Sequence, residues 1–227
     1  MYETALNILN IIENNGYKAY IVGGYPRDKY LGIESTDIDI CTNAKVADLE
    51  LLFNDIDTKY KNYGNCIVHM NNYNYEITTF RKEKYLKNRN DVEIDFIDSL
   101  NEDLIRRDFT INALCIDKDG KYIDILNSIN DLDNKTIRLI GNVDRLKDDP
   151  LRILRAIRFS GNLNFKLDYY LIEGINKYGY LIANLSNNKI KEEINKMNSN
   201  GISLLKQYNL DKYIEKDWKI IYNEVGD

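Results

Sequence analysis

Two aspartates one residue apart, Asp37 and Asp39, are the residues of this sequence that most clearly indicate chemistry. They lie in the stretch TDIDICT, whose alternation of polar and apolar residues predicts a β-strand. On a strand both carboxylates point to one face, and they repel each other unless a cation lies beside them. Mg²⁺ suits such a pair, because it takes one or two carboxylates and completes its shell with substrate phosphates. Two such ions about 4 Å apart can hold the attacking and leaving oxygens of a phosphoryl transfer.

A glycine pair precedes these carboxylates. Gly23 and Gly24 end a short apolar run and lead into PRDKYLG, which predicts a helix closed by Gly32. Glycines let backbone N–H groups approach an anion closely, and a helix N-terminus favours phosphate. Taken alone, the aspartates fit the solvated face of an edge strand and the glycines are weak evidence. Together with Arg27 and the aspartates that follow, the glycines predict a cradle for a nucleotide.

The arginines are concentrated in one part of the chain. The net charge of −5 argues against a general nucleic-acid binder, but all ten arginines lie between Arg27 and Arg158. Because a guanidinium is suited to planar, bidentate phosphate contacts, a local phosphate site is predicted despite the acidic total.

A second charged pattern recurs at every third position, which predicts a stripe along one helix: Asp149, Arg152, Arg155 and Arg158. A carboxylate accepts hydrogen bonds and a guanidinium donates them, so the pair can present a complementary edge to a nucleotide base. The alternative is a set of salt bridges on a solvated helix, each worth a few tenths of a kcal/mol. Taken alone, the spacing favours that alternative.

The elements that must position these groups divide the chain in two. Residues 1–141 alternate helical and strand patterns, whereas residues 142–227 show helical patterns alone. We therefore predict an α+β head followed by an all-α part. Within the head, NCIVHM and YEITTFR predict a hairpin around NNYN, and the polar residues 81–95 predict a mobile loop.

Other features exclude some classes of protein. No apolar run approaches the roughly 18 residues that a membrane span needs, and the N-terminus predicts an amphipathic helix and no signal peptide. Three scattered cysteines, Cys41, Cys66 and Cys115, fit neither a disulfide framework nor a zinc site, which favours the reducing cytoplasm. We expect His69, the one histidine, to be structural.

The motifs together resemble one known family. GGYPRDKYLG…DIDICTNA, EITTFR, EDLIRRDFTINAL and DDPLRILRAIRF occur in the order found in class II tRNA nucleotidyltransferases, which include CCA-adding enzymes and bacterial poly(A) polymerases. The resemblance runs from about residue 19 to 164, and more weakly to about residue 214. It implies a nucleotidyltransferase head of the polymerase-β type with a mixed β-sheet, then a helical neck, with the chain ending where the family's body and tail domains begin.

The resemblance also implies a role for each matching position. Asp37 and Asp39 would be catalytic carboxylates that bind Mg²⁺, with Glu76 on the neighbouring strand as a third catalytic carboxylate. The triphosphate and ribose would be held by Gly23, Gly24, Arg27, Arg107, Asp108, Asn112, Arg155 and Arg158. In DDPLR, Asp149 and Arg152 would recognise the base, as in the family's E-D-x-x-R motif; Asp148 replaces the Glu of that motif.

The implied reaction adds CMP and AMP, from CTP and ATP, to the 3′ end of a tRNA or tRNA-like RNA. The stretch YGNCIVHM lacks the G-[RK]-[RK]-F of poly(A) polymerases, which favours CCA addition. Poly(A) synthesis, partial CC or A addition, and a non-catalytic nucleotide- or RNA-binding module remain alternatives. A partner chain or a homo-oligomer could supply what the missing tail does in the family.

Overall fold

The computed structural model describes residues 1–86 and 91–214. The described residues form two compact units, one of residues 1–84 with 92–132 and one of residues 85–86 and 91 with 133–214. The predicted boundary at residue 141 between head and neck stays a prediction. In the described ranges, no helix is both long and apolar enough to cross a membrane.

The first unit alternates helices and strands along the chain. Its elements are α1 (Tyr2–Asn14), β1 (Ala19–Val22), α2 (Gly24–Leu31), β2 (Asp39–Thr42), α3 (Val46–Leu52), β3 (Ile56–Asp57), β4 (Asn65–Met70), β5 (Tyr73–Thr79), β6 (Arg81–Tyr85), β7 (Val92–Phe96), α4 (Leu100–Ile105), β8 (Cys115–Ile116), β9 (Tyr122–Ile123) and α5 (Ser128–Asp133). In the described ranges, a mixed seven-stranded sheet has the order β3-β4-β5-β2-β1-β8-β9, and only its β2–β5 pair is parallel.

One face of this sheet is apolar and forms the core of the first unit. The strand register aligns a row of small and branched side chains across five strands: Ile116, Ile21, Ile40, Ile77 and Cys66. Each is 2% exposed or less, and they pack with Ile8 and Leu9 of α1 and Leu49 of α3. Helices α1 and α3 therefore cover this face.

The opposite face carries the candidate site. Side chains alternate between faces along a strand, so the residues one position away form a second row: Asp57, Ile67, Glu76, Asp39 and Val22. We call this the carboxylate face. The single parallel pair matters here, because it joins β2 to β5 and makes Asp39 and Glu76 direct neighbours.

The second unit is mainly helical. Its elements are β10 (Thr136–Ile137), α6 (Arg145–Asp148), α7 (Leu151–Leu163), β11 (Lys166–Leu167), α8 (Tyr169–Tyr178), α9 (Asn187–Ile194) and α10 (Ser199–Gln207). Helices α7 and α10 approach closely at Gly161, where an added Cβ would lie 2.3 Å from the Cα of Gly201.

The predicted α+β class is confirmed, but two local predictions are wrong. Within residues 81–95, predicted as a loop, β6 and β7 form a two-stranded sheet; residues 87–90 of that segment lie outside the described ranges. In β6, the less exposed Arg81, Glu83 and Tyr85 alternate with exposed lysines, as expected for a strand. Because four of these five residues are charged, their hydrophobicity does not reveal this two-residue period. The prediction that residues 142–227 are all helical is also wrong, because β11 lies within them and pairs in parallel with β10. Strand β11 is only two residues long, too short to give a periodic pattern.

Candidate active site

The turn between β1 and α2 lies directly over one of the predicted carboxylates. Gly23 has φ of +86° and ψ of −130°, a backbone conformation that side chains with a Cβ rarely adopt. An added Cβ at Gly23 would lie 3.1 Å from the Oδ2 atom of Asp39. Glycine is therefore required here both by the backbone and by the closeness of the carboxylate.

We expect Gly23→Ala to reduce activity much more than its cost in stability suggests, because the methyl group would displace the Asp39 carboxylate. Gly32 provides a matched control, since it also has positive φ (+70°) but no atom within 4 Å of an added Cβ. Gly32→Ala should lose about 1–2 kcal/mol, because it places alanine in left-handed helical backbone. Gly23→Ala should lose about 1–3 kcal/mol, because its φ and ψ lie in a region that residues other than glycine rarely populate. Only Gly23→Ala should also lose on the order of 100-fold in turnover, which steady-state kinetics and thermal unfolding would measure together. Equal activity in the two variants would contradict this role for Gly23.

Three carboxylates gather on the carboxylate face. Asp39 and Glu76 are paired across β2 and β5, and Asp37 is exposed just before β2 begins. Burial and the negative charges of Asp37 and Glu76 raise the pKa of Asp39 to about 7, although Arg107 acts in the opposite direction. The positive charge of Arg107 therefore does not offset the effect of burial and of the two other carboxylates on the pKa of Asp39.

The donor set fits a magnesium ion held partly by substrate. Among the described residues, no group of three or more His, Cys, Asp and Glu side chains is arranged to hold a metal by itself. Mg²⁺ does not need such a cage, because it binds through one or two carboxylates and takes its other ligands from water and phosphate. A cation at Asp37 and Asp39 would also relieve the repulsion that raises the pKa of Asp39.

A chain of hydrogen bonds joins the GGYPRD and RRDFTIN motifs. Arg27 is 8% exposed, and its Nη1 donates to Asn112 Oδ1 at 2.7 Å. Asn112 Nδ2 in turn donates to Asp108 Oδ1 at 3.0 Å, and Arg27 Nε pairs with Asp28 at 2.8 Å. The structure therefore brings together three of the predicted nucleotide-binding residues and holds the Arg27 guanidinium in a fixed orientation.

A buried carboxylate of α4 organises the two arginines that directly follow this helix. Asp103 has no exposed surface and accepts hydrogen bonds from Arg106 Nε at 2.8 Å, Arg107 Nη2 at 3.1 Å and the backbone N–H of Arg81 at 3.2 Å. Burial alone would raise the pKa of Asp103, but Arg107 and Arg106 hold it below its usual value. Arg107 Nε is buried and has no hydrogen-bond partner among the described residues.

The same network extends from Arg106 through Glu83, Arg81 and Asn65 to Glu76. Glu83 Oε1 lies 2.8 Å from Arg81 Nη2 and 3.1 Å from Arg106 Nη1. Arg81 Nη1 donates to Asn65 Oδ1 at 3.0 Å, and Asn65 Nδ2 donates to Glu76 Oε1 at 2.8 Å. One chain of polar contacts therefore runs from Arg107, beside Asp39, to the carboxylate of Glu76.

Sequence reasoning missed most of this network. It did not single out Asp103, Arg106, Arg81, Glu83 and Asn65. Asp103 precedes Arg106 and Arg107 by three and four positions, the spacing of helical ion pairs, so EDLIRRD carried a usable signal. The contacts of Arg81 and Asn65 depend on strand pairing, which no local pattern shows.

In the second unit, the predicted stripe is only partly helical. Helix α7 begins at Leu151, so Asp149 lies before it with extended backbone, φ of −135° and ψ of 93°. The prediction that Asp149 shares a helix with the arginines is wrong, because Pro150 disfavours helical backbone in the residue before it. Asp149 Oδ1 instead accepts from the backbone N–H of Leu151 at 3.2 Å.

The three arginines of the stripe lie on α7 and have partners in the second unit. Arg152 is 4% exposed and donates to the carbonyl of Arg145 at 3.0 Å and to the hydroxyl of Tyr85 at 3.4 Å. Arg158 Nε lies 2.7 Å from the buried Glu193 of α9, and Arg155 Nη1 lies 3.9 Å from the same carboxylate. These ion pairs connect α7 to α9, and the predicted triphosphate role of both residues stays a prediction.

A model of the poly A polymerase head domain matches residues 19–138, more than half of the 227 residues. The chain belongs to the poly A polymerase head domain family. This confirms the family resemblance, and the matched segment contains all of the site residues described in the first unit. Asp149, Arg152, Arg155 and Arg158 lie beyond it.

Relatives of this family match almost the whole chain. The CCA-adding enzyme of Bacillus pumilus is 42% identical over 195 residues, 85% of this chain and 49% of the relative. A crystal structure of Bacillus stearothermophilus CCA-adding enzyme in complex with CTP superposes with a TM-score of 0.87 at 32% identity, covering 95% of this chain and 54% of that one. A tRNA nucleotidyltransferase complexed with a primer tRNA and an incoming ATP analog gives a TM-score of 0.77 at 30% identity, with 92% and 62% covered. The chain spans about half the length of the curated relatives it matches.

The remaining residues that drew notice in the sequence have structural surroundings within this head domain. Cys41, Cys66 and Cys115 are buried, free thiols. His69 Nδ1 lies 2.7 Å from Asn74 Oδ1 across the β4–β5 hairpin. Neither the cysteines nor the histidine is needed to explain the chemistry of the site.

Proposed function

We propose that the chain is a template-independent RNA nucleotidyltransferase that adds CMP and AMP, from CTP and ATP, to the 3′ end of tRNA. The observation that carries the proposal is the Gly23 turn placed over Asp39, with Glu76 as its neighbour across the parallel strand pair. CCA-adding enzymes at 38–42% identity, and the fold shared with one solved in complex with CTP, support it. Such a reaction would take place in the cytoplasm.

In the proposed mechanism, the triphosphate binds at the turn between β1 and α2. Backbone N–H groups at Gly23 and Gly24 and the N-terminus of α2 favour negative charge there. The Arg27 guanidinium, already fixed by Asn112, would contact a phosphate or the ribose. Arg107 offers a buried donor, its unpartnered Nε, beside the same carboxylates.

The carboxylates would position the reacting groups. Asp37 and Asp39 would hold Mg²⁺, which when bound lowers the pKa of the RNA 3′-hydroxyl and neutralises the departing pyrophosphate. The 3′-oxygen attacks the α-phosphorus of the nucleotide, the hydroxyl proton passes to solvent water, and the bond from the α-phosphorus to the bridging oxygen of pyrophosphate breaks. Glu76, oriented by Asn65, would accept a hydrogen bond from the attacking hydroxyl.

Base selection would depend on the second unit. Asp149 and Arg152 would present an acceptor and a donor to the edge of cytosine or adenine, which would exclude uracil and guanine. The rigid placement of Arg152, through Arg145 and Tyr85, supports this role. Arg155 and Arg158 would contact the nucleotide phosphates in addition to pairing with Glu193.

An extension assay tests the proposal. Purified protein, Mg²⁺ and tRNA lacking its terminal CCA should give growth by three nucleotides that then stops, and only when CTP and ATP are both present. Asp39→Asn provides the inactive control. A ladder with ATP alone would assign poly(A) synthesis, and arrest after CC, or addition of A alone, would assign a partial activity. No extension, together with nucleotide binding that does not depend on Mg²⁺, would favour a non-catalytic binding module.

A further inference from the structure

A buried polar pair lies behind the RRDFTIN motif and has no part in the proposed mechanism. Thr110 Oγ1 donates to Asp131 Oδ2 at 2.7 Å, and the two residues are 6% and 2% exposed. Burying a hydroxyl and a carboxylate is unfavourable unless the two are hydrogen-bonded. Valine has nearly the shape of threonine and would fill the same space without a polar group, so packing alone does not explain the pair.

Thr110 begins the short segment that holds Arg27. The 3-10 helix Thr110–Asn112 is closed by two backbone hydrogen bonds, from Asn112 N to the carbonyl of Phe109 at 3.0 Å and from Ala113 N to the carbonyl of Thr110 at 2.9 Å. A single 3-10 turn has little stability of its own. Its position therefore depends on the contacts of its side chains, and the Thr110 hydroxyl makes one of them with Asp131.

Asp131 is itself held in place from the edge of the large sheet. It lies on α5, whose start is fixed by Asp124: the two carboxylate oxygens accept from the backbone N–H groups of Ser128 at 2.7 Å and Ile129 at 3.0 Å. Asp124 directly follows β9, which pairs with β8, and β8 pairs with β1. The strand that leads into the Gly23 turn therefore also supports Asp131.

These contacts form a closed ring that meets at Arg27. On one side, β1 leads into α2 and so places the backbone of Arg27. On the other side, β8, β9 and α5 lead through Asp131 and Thr110 to Asn112. The two sides join where Arg27 Nη1 donates to Asn112 Oδ1 at 2.7 Å. The orientation of the guanidinium thus depends on both.

We propose that Asp131 is a positioning residue for nucleotide binding, which acts through Thr110 and Asn112 to keep the Arg27 guanidinium in place for the nucleotide. The inference rests on the proposed function, in which Arg27 contacts a phosphate or the ribose. Asp131 itself touches neither the nucleotide nor the metal. Because hydrogen bonds to charged groups are among the stronger ones in proteins, losing the Thr110–Asp131 bond should weaken nucleotide binding about tenfold.

The first test removes the hydroxyl and keeps the shape. Thr110→Val should raise KM for CTP about tenfold with a much smaller change in kcat, because it weakens binding and leaves the reacting groups intact. Thr110→Ser, which keeps the hydroxyl, should restore the KM of the wild type. Thr79→Val is the matched control, since Thr79 is 1% exposed and its Oγ1 donates to the carbonyl of Ala44 at 2.8 Å. It should lower the Tm as Thr110→Val does and leave KM for CTP unchanged. Equal KM values in Thr110→Val and Thr79→Val would overturn the assignment.

Asp131 is tested by the same measurement. Asp131→Asn keeps an oxygen that can accept from Thr110, so we expect its KM for CTP to stay close to that of the wild type. Asp131→Ala removes the acceptor and should raise KM for CTP as Thr110→Val does. A KM of the wild-type value in a folded Asp131→Ala would contradict the proposal.

A double-mutant cycle separates positioning from general damage. If Thr110 and Asp131 act through Arg27, then Thr110→Val should cause no further loss of CTP affinity in a protein that already carries Arg27→Ala. A purely structural role would make the two losses multiply, and that result would refute the proposed route through Arg27.

CTP binding by the wild type shows which proposal has failed. Mg²⁺-dependent CTP binding is measured by calorimetry on the same full-length proteins. If the wild type binds CTP and Thr110→Val binds it equally well, only the role of Asp131 is wrong. If the wild type does not bind CTP, the proposed function is wrong and the role of Asp131 is wrong with it.

Discussion

Replacing Asp39 with asparagine is expected to abolish nucleotide transfer while making the folded protein more stable at pH 8. The loss of activity follows from removing a proposed metal ligand, whose contribution of about 4 kcal/mol to the transition state corresponds to on the order of 10³-fold in rate. The gain in stability follows from the raised pKa of Asp39, about 7, caused by burial and by the charges of Asp37 and Glu76.

The pH dependence of this effect has a definite sign. Asp39 has a folded pKa above its ordinary value of 3.8, so between about pH 4 and pH 7 the folded state binds the proton more tightly than the unfolded state does. Without metal, the contribution of Asp39 to stability therefore falls as pH rises through that window. At pH 8 the ionised carboxylate costs the folded state roughly 4 kcal/mol, and asparagine removes that cost.

Thermal unfolding at several pH values measures the prediction. Without Mg²⁺ at pH 8, Asp39→Asn should unfold several degrees above the wild type, and the difference should vanish near pH 4. Mg²⁺ should raise the Tm of the wild type and not that of the variant. Glu50→Gln, on an exposed position of α3, is the control for removing a negative charge and should change neither property. A variant less stable than the wild type at pH 8 would show that Asp39 is not a strained carboxylate.

The parts of this site that sequence reasoning could predict are those carried by local patterns. The strand that contains Asp39 and the turn at Gly23 are local, so residue types and spacing were enough. The prediction that Asp37 lies on the same strand is wrong, because β2 begins at Asp39. Glu76 was placed on the neighbouring strand only by the family resemblance. No local pattern shows it, because the pairing of Asp39 with Glu76 comes from a parallel contact between β2 and β5, strands separated by α3 and the β3–β4 region.

The residues that were missed act through distant contacts. Asn65 matters because Arg81 holds it against Glu76. Asp149 is the opposite case. A regular spacing of three predicted that Asp149 shares a helix with the arginines, but α7 begins after Pro150 and so leaves Asp149 outside it. Spacing identifies a helix face only where the backbone allows the helix to continue.

The arginines on the carboxylate face depend on one buried acid, Asp103, which explains how they are kept in place without substrate. Burying one guanidinium without a partner is costly, and here Arg106 and Arg107 share a single carboxylate with no exposed surface. Because the Asp103 pKa is lowered, the stability that it contributes is present above its ordinary pKa of 3.8 and is lost as pH falls through the lowered value. Stability therefore falls at low pH as Asp103 becomes protonated, whereas above about pH 4, without metal, it falls as pH rises because of Asp39.

Asp103→Asn is therefore expected to have the largest effect on stability, a loss of about 3–5 kcal/mol, because it removes the carboxylate that pairs with Arg107 and one of the two carboxylates that pair with Arg106. Thermal unfolding should show a Tm lower by roughly 10 °C, and transfer activity should fall even at temperatures where the variant is folded, because Arg107 loses its anchor. Glu93→Gln is the matched control: it breaks the exposed ion pair with Lys84, whose side chains are 59% and 73% exposed, and should leave both the Tm and the activity unchanged. If Asp103→Asn and Glu93→Gln had equal effects, the buried network would not be what holds Arg107 beside Asp39.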